Sequence, residues 1–327
     1  MYRYREKIIV LEEMPPRLAI YNATIHTVPL NYNHSVFPLC SVLLDGTAND
    51  SIWREAKMWT PTDWLADEQI ADLSCSDFRS NLWFPTFAMS QPEADFPVAY
   101  AFLVYQNADQ AIRLLQYIYW PQNVYCIHVD RKSPTSFFQA IAKAVQCLPN
   151  NVFLVSRRVQ SDWGRSGILE AALNCFSDLN SPDYPWRYVQ IYSGADMPLR
   201  TNRELVQILK ILNGSNDSEL SENNIMRYYY ARYNQSDPLS QPVAEGRRPI
   251  PAHGIIPYKG SFQATLSRHF VNFTLNDHRA IDFFEYLIDA HIPDEQYWSS
   301  LIHNVHLNAP GSFPGEICSS APDVEYF

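Results

Sequence analysis

Three acidic residues stand where a folded chain can use a carboxylate for chemistry: Asp130, Asp196 and Glu295. Asp130 ends the apolar segment 123–130, where a carboxylate can hydrogen-bond the ribose or base of a nucleotide. Asp196 follows another apolar segment in a glycine-containing turn, which is equally a place for a side chain that caps backbone N–H groups. Glu295, in Pro-Asp-Glu before an aromatic helix, can act as a general base toward a hydroxyl group. Alternatively, it only caps the start of that helix, where the helix dipole favours an acidic side chain.

The sequence lacks the motifs that usually hold a phosphate or a metal ion. Neither Gly-x-Gly-x-x-Gly nor a Walker-type loop follows the apolar segments 98–105 and 123–130, so NAD and ATP have no phosphate cradle. The chain also contains no Asp-x-Asp, no Cys-x-x-Cys and no histidines at metal-ligand spacing. A nucleotide bound without a glycine-rich loop points first to a nucleotide-sugar enzyme.

The elements that must position these acids alternate regularly from residue 96 onward. We expect strands at 98–105, 123–129, 151–155 and 187–193, because these segments are short and apolar. A helix at 107–119 shows apolar residues at i, i+3 and i+4, the spacing of a helix that packs one face on a sheet, and further helices are expected at 134–146 and 165–179. Strand, helix and strand in this order predict βαβ units and a parallel sheet.

Cap residues and later segments complete the predicted domain. Ser133-Pro134 supplies an N-cap and a first-turn proline, and Thr201 with Glu204 forms a capping box for a helix ending near Leu212. Further strands are expected at 225–233 and 260–266, with helices at 268–275, 278–290 and from 293. Residues 1–95 are predicted to be an irregular, stem-like lead-in, 96–315 the main domain and 316–327 a tail.

Composition indicates a folded protein and argues against nucleic acid as a partner. The 327 residues are 46% hydrophobic and carry a net charge of −10, whereas a nucleic-acid binder needs a basic face. Seven Asn-x-Ser/Thr sequons and an even number of cysteines, six, favour the secretory lumen. No apolar run of about 18–20 residues occurs, so membrane attachment is expected only through an anchor that lies outside this chain.

Seven segments in order resemble the core-2/I-branching glycosyltransferases, a family that includes β1,6-N-acetylglucosaminyltransferases and is related to peptide O-xylosyltransferases. The segments are VAYAFLVY, IYWPQNVYCIHVD, SRRVQSDWGR, ALNCFSDL, SGADMPLRTN, KGSFQATLSR and IPDEQYW, and the similarity covers roughly residues 35–315. The resemblance implies a GT-A-like α/β fold and inverting, metal-independent transfer from a UDP-sugar without a cofactor. It also implies a type II membrane protein facing the Golgi lumen.

The resemblance assigns roles to individual residues. The donor-binding positions fall on Val104, Tyr105, Gln106, Asp130 and Trp163, with Tyr-Gln where the core-2 enzymes have His-His. Trp163 replaces a tyrosine, although Trp-Gly is what the xylosyltransferase branch shows; from sequence alone this Trp is either a core residue or a stacking platform. The catalytic glutamate falls on Glu295.

Acceptor-binding basic residues and cysteine pairs are also implied by the family. The acceptor positions fall loosely on Arg227 and Arg232, and the expected disulfides are Cys75–Cys147 and Cys126–Cys175. The family partner of Cys40 lies downstream, which leaves Cys318 as a candidate partner for Cys40.

The family also places the Arg and Lys that neutralise the UDP diphosphate in a further segment of roughly a hundred residues, so this chain is expected to be a C-terminally short member. Arg131, Lys132 and Lys259 are candidate substitutes for those cations. The sequence favours a transferase of GlcNAc, in β1,6 linkage, from a UDP-sugar to a glycoprotein O-glycan. The alternatives are a weak or non-catalytic lumenal glycan-binding homologue and a xylosyltransferase-like enzyme that acts on serine hydroxyls.

Overall fold

The computed structural model describes residues 49–52, 54, 65–221, 231–232, 244–245 and 249–313. The chain divides into two compact units, Met1–Asp63 and Trp64–Phe327, and every element named here belongs to the second. Its helices are α1 (Asp67–Asp72), α2 (Cys75–Asn81), α3 (Gln91–Ala94), α4 (Ala108–Ile118), α5 (Thr135–Cys147), α6 (Gly167–Leu179), α7 (Asn202–Leu212), α8 (Arg268–Asn276), α9 (His278–Leu287) and α10 (Tyr297–His303). Its strands are β1 (Val98–Val104), β2 (Val124–Val129), β3 (Val152–Leu154), β4 (Tyr188–Ser193), β5 (Asp217–Ser218), β6 (Ala231–Arg232), β7 (Ala244–Glu245) and β8 (Ala264–Ser267).

Six strands form one mostly parallel sheet in the order β3-β2-β1-β4-β8-β5. β1 to β4 are mutually parallel where they pair, while β8 runs antiparallel to both β4 and β5. Helices α4, α5 and α6 form the crossovers between consecutive parallel strands. The predicted GT-A-like α/β fold, a mostly parallel sheet flanked by helices, is therefore confirmed. β6 and β7 form a separate antiparallel pair.

The core lies on both faces of the sheet because β1 and β2 are apolar on both sides. Val98, Tyr100 and Phe102 of β1 pack in the layer with α4 and α5, whereas Ala99 and Ala101 pack in the layer with α6, α8 and α10. This alternation follows from the opposite directions of successive side chains along a strand. Central strands covered by helices on both faces are typical of parallel sheets.

Two disulfides tie helices to this framework. Cys75–Cys147 joins α2 to α5, and Cys126–Cys175 joins β2 to α6. Both pairings implied by the family are confirmed, whereas Cys40 and Cys318 lie outside the described residues.

His128 is the one histidine of β2, and its ring is enclosed in the core. The Val159 N–H donates to its Nε2 at 3.0 Å, as expected for a core histidine with a satisfied nitrogen. Burial, with a smaller contribution from the Arg158 guanidinium, lowers the pKa of His128 to about 4. The ring is therefore neutral at physiological pH.

Several local expectations differ from the structure. Pro134, not Ser133, is the N-cap of α5, because the Ser133 hydroxyl instead donates to the Tyr105 carbonyl at 2.8 Å. The strand expected at 260–266 covers Ala264–Ser267, and Pro293–Glu295 is a single 3₁₀ turn before α10. Part of the lead-in predicted to be irregular is helical, since α1, α2 and α3 lie before residue 95.

Other expectations are either met or stay open. The Thr201–Glu204 capping box is present as predicted. Most of the strand expected at 225–233 lies outside the described residues, and the predicted domain boundaries at 95 and 315 stay predictions. No helix in the described part of the chain is long and apolar enough to cross a membrane.

Candidate active site

The carboxyl ends of β1, β2 and β4 meet at one edge of the sheet, as expected for parallel neighbours. The Asp130 N–H donates to the Val104 carbonyl at 2.9 Å, and the Gly194 N–H donates to the Leu103 carbonyl at 3.1 Å. A Cβ added to Gly194 would lie 3.4 Å from the Val104 side chain, so the two chain segments are in close contact. The predicted donor-binding segment after β1 therefore lies beside the acid that ends β2.

Asp130 is almost fully enclosed, with 3% of its surface exposed. One carboxylate oxygen accepts the Lys132 N–H at 2.9 Å, and the other accepts the Ser161 N–H at 3.2 Å. These bonds join the turn after β2 to the loop that precedes α6. Because each carboxylate oxygen can accept two hydrogen bonds, Asp130 retains acceptor capacity for a ligand. Its contact with uridine stays a prediction.

The other donor-side residues differ in their access to solvent. Val104 is 2% exposed, so its side chain belongs to the core and a ligand can meet only the backbone there. The Tyr105 ring is 55% exposed, and its hydroxyl accepts the side-chain amide of Gln106 at 3.1 Å. Tyr105 and Gln106 therefore present polar atoms at the sheet edge, and their contact with a donor stays a prediction.

Trp163 is 75% exposed, so the core alternative for this residue is wrong. Its indole meets the His291 ring edge-on with 5.6 Å between centroids. The next residue, Gly164, has φ +77, and a Cβ there would lie 3.4 Å from the His291 ring. The Gly164 carbonyl accepts the Ile292 N–H at 3.0 Å. The Trp163 loop is thus attached to the residues just before Pro293.

Glu295 follows a turn with unusual backbone geometry. Ile292 has φ 54 and ψ 62, a left-handed conformation that a β-branched residue rarely adopts. The buried Gln296 amide donates to the His291 carbonyl at 3.0 Å and to the Ile292 carbonyl at 3.4 Å, which holds the turn in that conformation. Strained positions of this kind persist only where surrounding contacts enforce them, and they concentrate at functional sites.

The two acids of Pro-Asp-Glu lie in different environments. Asp294 is 6% exposed, and burial, to which the neighbouring Glu295 charge adds, raises its pKa to about 7. The Glu295 side chain is 31% exposed, and its Oε2 lies 3.5 Å from the Lys259 Nζ. Among the described residues no backbone N–H is hydrogen-bonded to the Glu295 carboxylate, so it does not cap the following helix. An accessible carboxylate at this position can take a proton from an incoming hydroxyl group.

Asp196 plays the structural part that its turn position suggested. Its Oδ2 accepts the Ser193 N–H at 2.6 Å and so closes the turn after β4. The same residue lines a cleft of about 330 Å³ between β4, β5 and β8. Asp217, Glu219, Gln190 and Thr265 also line this cleft, and their oxygens and amides are suitable partners for sugar hydroxyls.

The cleft is linked to the Glu295 segment through Gly260, the residue after Lys259. A Cβ added to Gly260 would lie 2.2 Å from the Glu219 carbonyl oxygen, and the Gly260 N–H donates to the Glu295 carbonyl at 2.6 Å. Sequence analysis missed this cleft because two-residue β5 carries no periodic signal. The only hint was the polar composition of residues 213–224.

The basic residues considered from sequence have different outcomes. Arg227 and the side chain of Arg232 lie outside the described residues, so their acceptor contacts stay predictions. Lys132 pairs with Asp162 and also donates to the Ser161 carbonyl at 3.0 Å. Within the described part of the chain, no three His, Cys, Asp or Glu side chains are grouped as a metal site.

Comparison with known proteins finds the same family that the sequence motifs resemble. Residues 98–319 match the family model described as "Core-2/I-Branching enzyme". An N-acetyllactosaminide beta-1,6-N-acetylglucosaminyl-transferase from Mus musculus is 35% identical over 292 residues, 87% of this chain and 69% of that protein. A Beta-1,3-galactosyl-O-glycosyl-glycoprotein beta-1,6-N-acetylglucosaminyltransferase 4 from Danio rerio is 35% identical over 79% of this chain and 61% of that protein.

This chain therefore spans between six and seven tenths of the length of these two relatives. Among solved structures, a 4-diphosphocytidyl-2C-methyl-D-erythritolsynthase from Anaerococcus prevotii aligns with a TM-score of 0.30 and 10% identity, over 63% of this chain and 93% of that one. That likeness is too low to bear on the site. The family model and the two relatives establish that this chain belongs to the core-2/I-branching enzyme family.

Proposed function

We propose that this chain is a glycosyltransferase domain that transfers N-acetylglucosamine from UDP-GlcNAc to a galactose-containing O-glycan in β1,6 linkage. The observation that carries the proposal is the position of Glu295. Its carboxylate is partly exposed, and its segment is hydrogen-bonded both to the Trp163 loop, through Ile292 and Gly164, and to Gly260, which packs against Glu219 of the polar cleft. The two relatives, whose names specify β1,6-N-acetylglucosaminyl transfer, support the choice of sugar and linkage.

In the proposed reaction Glu295 accepts the proton of an acceptor hydroxyl group. The hydroxyl oxygen forms a bond to the anomeric carbon from the face opposite UDP, and UDP leaves with the electron pair of the broken bond, which inverts the configuration. Asp130, Tyr105 and Gln106 hold the nucleotide, and Trp163 forms the outer wall of the donor pocket. The absence of Asp-x-Asp from the sequence supports transfer without a metal ion.

The test measures transfer from labelled UDP-GlcNAc to two acceptors taken from the names of the relatives, a β1,3-galactosyl O-glycan and an N-acetyllactosamine chain. We expect one of them to be modified, with the same rate in excess EDTA, and linkage analysis to give β1,6. Glu295→Gln should lower kcat by roughly 10²–10⁴-fold while UDP binding is retained, the usual effect of losing a positioned base. Full activity of Glu295→Gln, or turnover that requires Mn²⁺, would refute the corresponding part of the proposal.

A second candidate function is that of a weak or non-catalytic glycan-binding domain. It is favoured by the ion pairs that two lysines already form. Lys132 and Lys259, considered as partners for the UDP diphosphate, are each already paired with a carboxylate. Loss of two charge-assisted contacts of about 1.5–3 kcal/mol each would weaken UDP binding by roughly 10²–10⁴-fold. Calorimetry with UDP decides between the candidates, since low-micromolar binding supports the enzyme. Transfer of xylose to a serine peptide, tested in parallel, would instead support a xylosyltransferase.

We also propose the Golgi lumen as the location of this domain. Two disulfides support an oxidising compartment, and the sequons agree with it. Colocalisation of the tagged native protein with Golgi markers tests the proposal, and a cytosolic distribution would contradict it.

A further inference from the structure

Lys259 is the charged neighbour of the proposed base. Its Nζ lies 3.5 Å from Glu295 Oε2 and donates to the Gly260 carbonyl at 3.2 Å. The Lys259 side chain is 20% exposed and that of Glu295 is 31% exposed, so the ion pair is largely but not fully shielded from solvent. An ion pair that is partly shielded in this way holds its partners more firmly than a fully exposed surface pair.

The backbone around Lys259 is bound to the same segment that carries Glu295. Gly260 donates its N–H to the Glu295 carbonyl at 2.6 Å, and the Tyr258 N–H donates to the Ser300 hydroxyl at 2.8 Å. On the other side, the Ser221 N–H donates to the Lys259 carbonyl at 2.7 Å. These bonds fix the origin of the lysine side chain relative to the carboxylate, so the pairing does not depend on a mobile loop.

The geometry of an inverting transfer then determines whether Lys259 can act near the acceptor hydroxyl or near the leaving diphosphate. The base approaches the acceptor hydroxyl on one face of the anomeric carbon, and the diphosphate leaves from the opposite face. A cation in contact with the base lies on the acceptor face. Lys259 is therefore poorly placed to stabilise the diphosphate, the role for which the sequence made it a candidate.

We propose, on the basis of the proposed function, that Lys259 is a positioning residue that orients the Glu295 carboxylate toward the acceptor hydroxyl. It touches neither the donor nor the bond that breaks. Its effect on turnover is transmitted through Glu295 alone, which separates it from a residue that binds the leaving group. Of the three cations considered from sequence, Arg131 then remains for the diphosphate, since Lys132, although also exposed, is paired with Asp162.

A double-mutant cycle in the whole chain tests this assignment. Lys259→Met should lower kcat roughly 10–100-fold, a part of what a positioned base contributes, and leave the UDP dissociation constant and the donor KM within about twofold. Lys259→Arg should restore most of the activity. In the Glu295→Gln background, Lys259→Met should change kcat less than about twofold, because there is no longer a carboxylate to orient.

Three outcomes would overturn the proposal. The first is a tenfold or greater loss of UDP affinity in Lys259→Met. The second is a kcat of the double variant that falls by the product of the two single-variant reductions. The third is an unchanged kcat in Lys259→Met. Lys210→Met is the matched control, because Lys210 bonds the Pro92 carbonyl at 3.2 Å, away from this site. Lys259→Gln repeats the test with a different neutral side chain if the Met variant unfolds. Full activity of Glu295→Gln would instead refute the base itself, so the two failures are distinguishable.

Discussion

Gly260 offers the sharpest test of how the site is assembled, because the structure leaves no room for one methyl group there. A Cβ at this position would lie 2.2 Å from the Glu219 carbonyl oxygen and 2.8 Å from the Ser299 Cβ. Normal contacts of these kinds are near 3.4 Å or longer, so relief requires the backbone segments to separate by about 1 Å. The two neighbours lie on different elements, β5's extension and α10, and neither is the flexible end of a long side chain.

We therefore expect Gly260→Ala to lower both stability and turnover. Overpacking of a buried site costs roughly 1–3 kcal/mol, which corresponds to a fall in Tm of about 2–12 °C for a domain of this size. The Gly260 N–H also bonds the Glu295 carbonyl, so the displacement reaches the proposed base. A shift of about 1 Å at a reacting group can lower kcat about 10²-fold.

The assay combines thermal unfolding with steady-state kinetics, and Gly194→Ala is the matched control. A Cβ on Gly194 would meet the Val104 side chain at 3.4 Å, a contact that small adjustments accommodate. We expect the Tm of Gly194→Ala to change by less than about 2 °C. If Gly260→Ala keeps its Tm as well as the control does and leaves kcat unchanged, the close approach of these segments does not exist in the protein.

Three further predictions concern the core and the turn before Glu295. The pKa of His128 is about 4 in the folded chain and about 6.5 in the unfolded chain, so the unfolded state binds more protons between these pH values. The free energy of unfolding should therefore fall by about 3 kcal/mol as the pH drops from 6.5 to 4. Urea titrations at several pH values should show a shallower fall for His128→Gln, and an equal fall would contradict the assignment. Replacing Cys126 and Cys175 together by Ala should remove roughly 4 kcal/mol, from the chain-entropy relation for a separation of 49 residues; unchanged denaturation midpoints would contradict this. Gln296→Met keeps the side-chain volume but loses both bonds to the preceding turn, so kcat should fall more than donor affinity does, and equal losses would argue for general unfolding.

The sequence predicted the fold well wherever a single segment determined its own structure. β1 to β4 and α4 to α7 were expected within one or two residues of their observed ends, because apolar periodicity and the Thr201–Glu204 capping box act locally. The position of Asp130 at the carboxyl edge of the sheet followed from strand order, whereas the role of Glu295 rests on the family resemblance and stays a prediction.

Interactions between distant segments could not be predicted in the same way. The cleft depends on two-residue β5 pairing with β8, some fifty positions later, and no local pattern encodes that register. The Lys259–Glu295 pair likewise forms between side chains that only the folded chain brings together. Ile292 illustrates the reverse case, because its residue type argues against the left-handed conformation that its neighbours impose.

The hydrogen bond from Ile292 to Gly164 has a consequence for any attempt to alter the proposed donor contact of Trp163. Trp163 and Glu295 lie on segments that are far apart in sequence, yet the turn at His291–Ile292 connects them through a backbone hydrogen bond and a ring contact. A redesign that reshapes the Trp163 loop for a different donor should therefore also shift the turn that precedes the proposed base, Glu295. Successful variants should need paired substitutions, one in the loop and one in the turn. Substitutions in the loop alone should widen the range of donors but lower kcat.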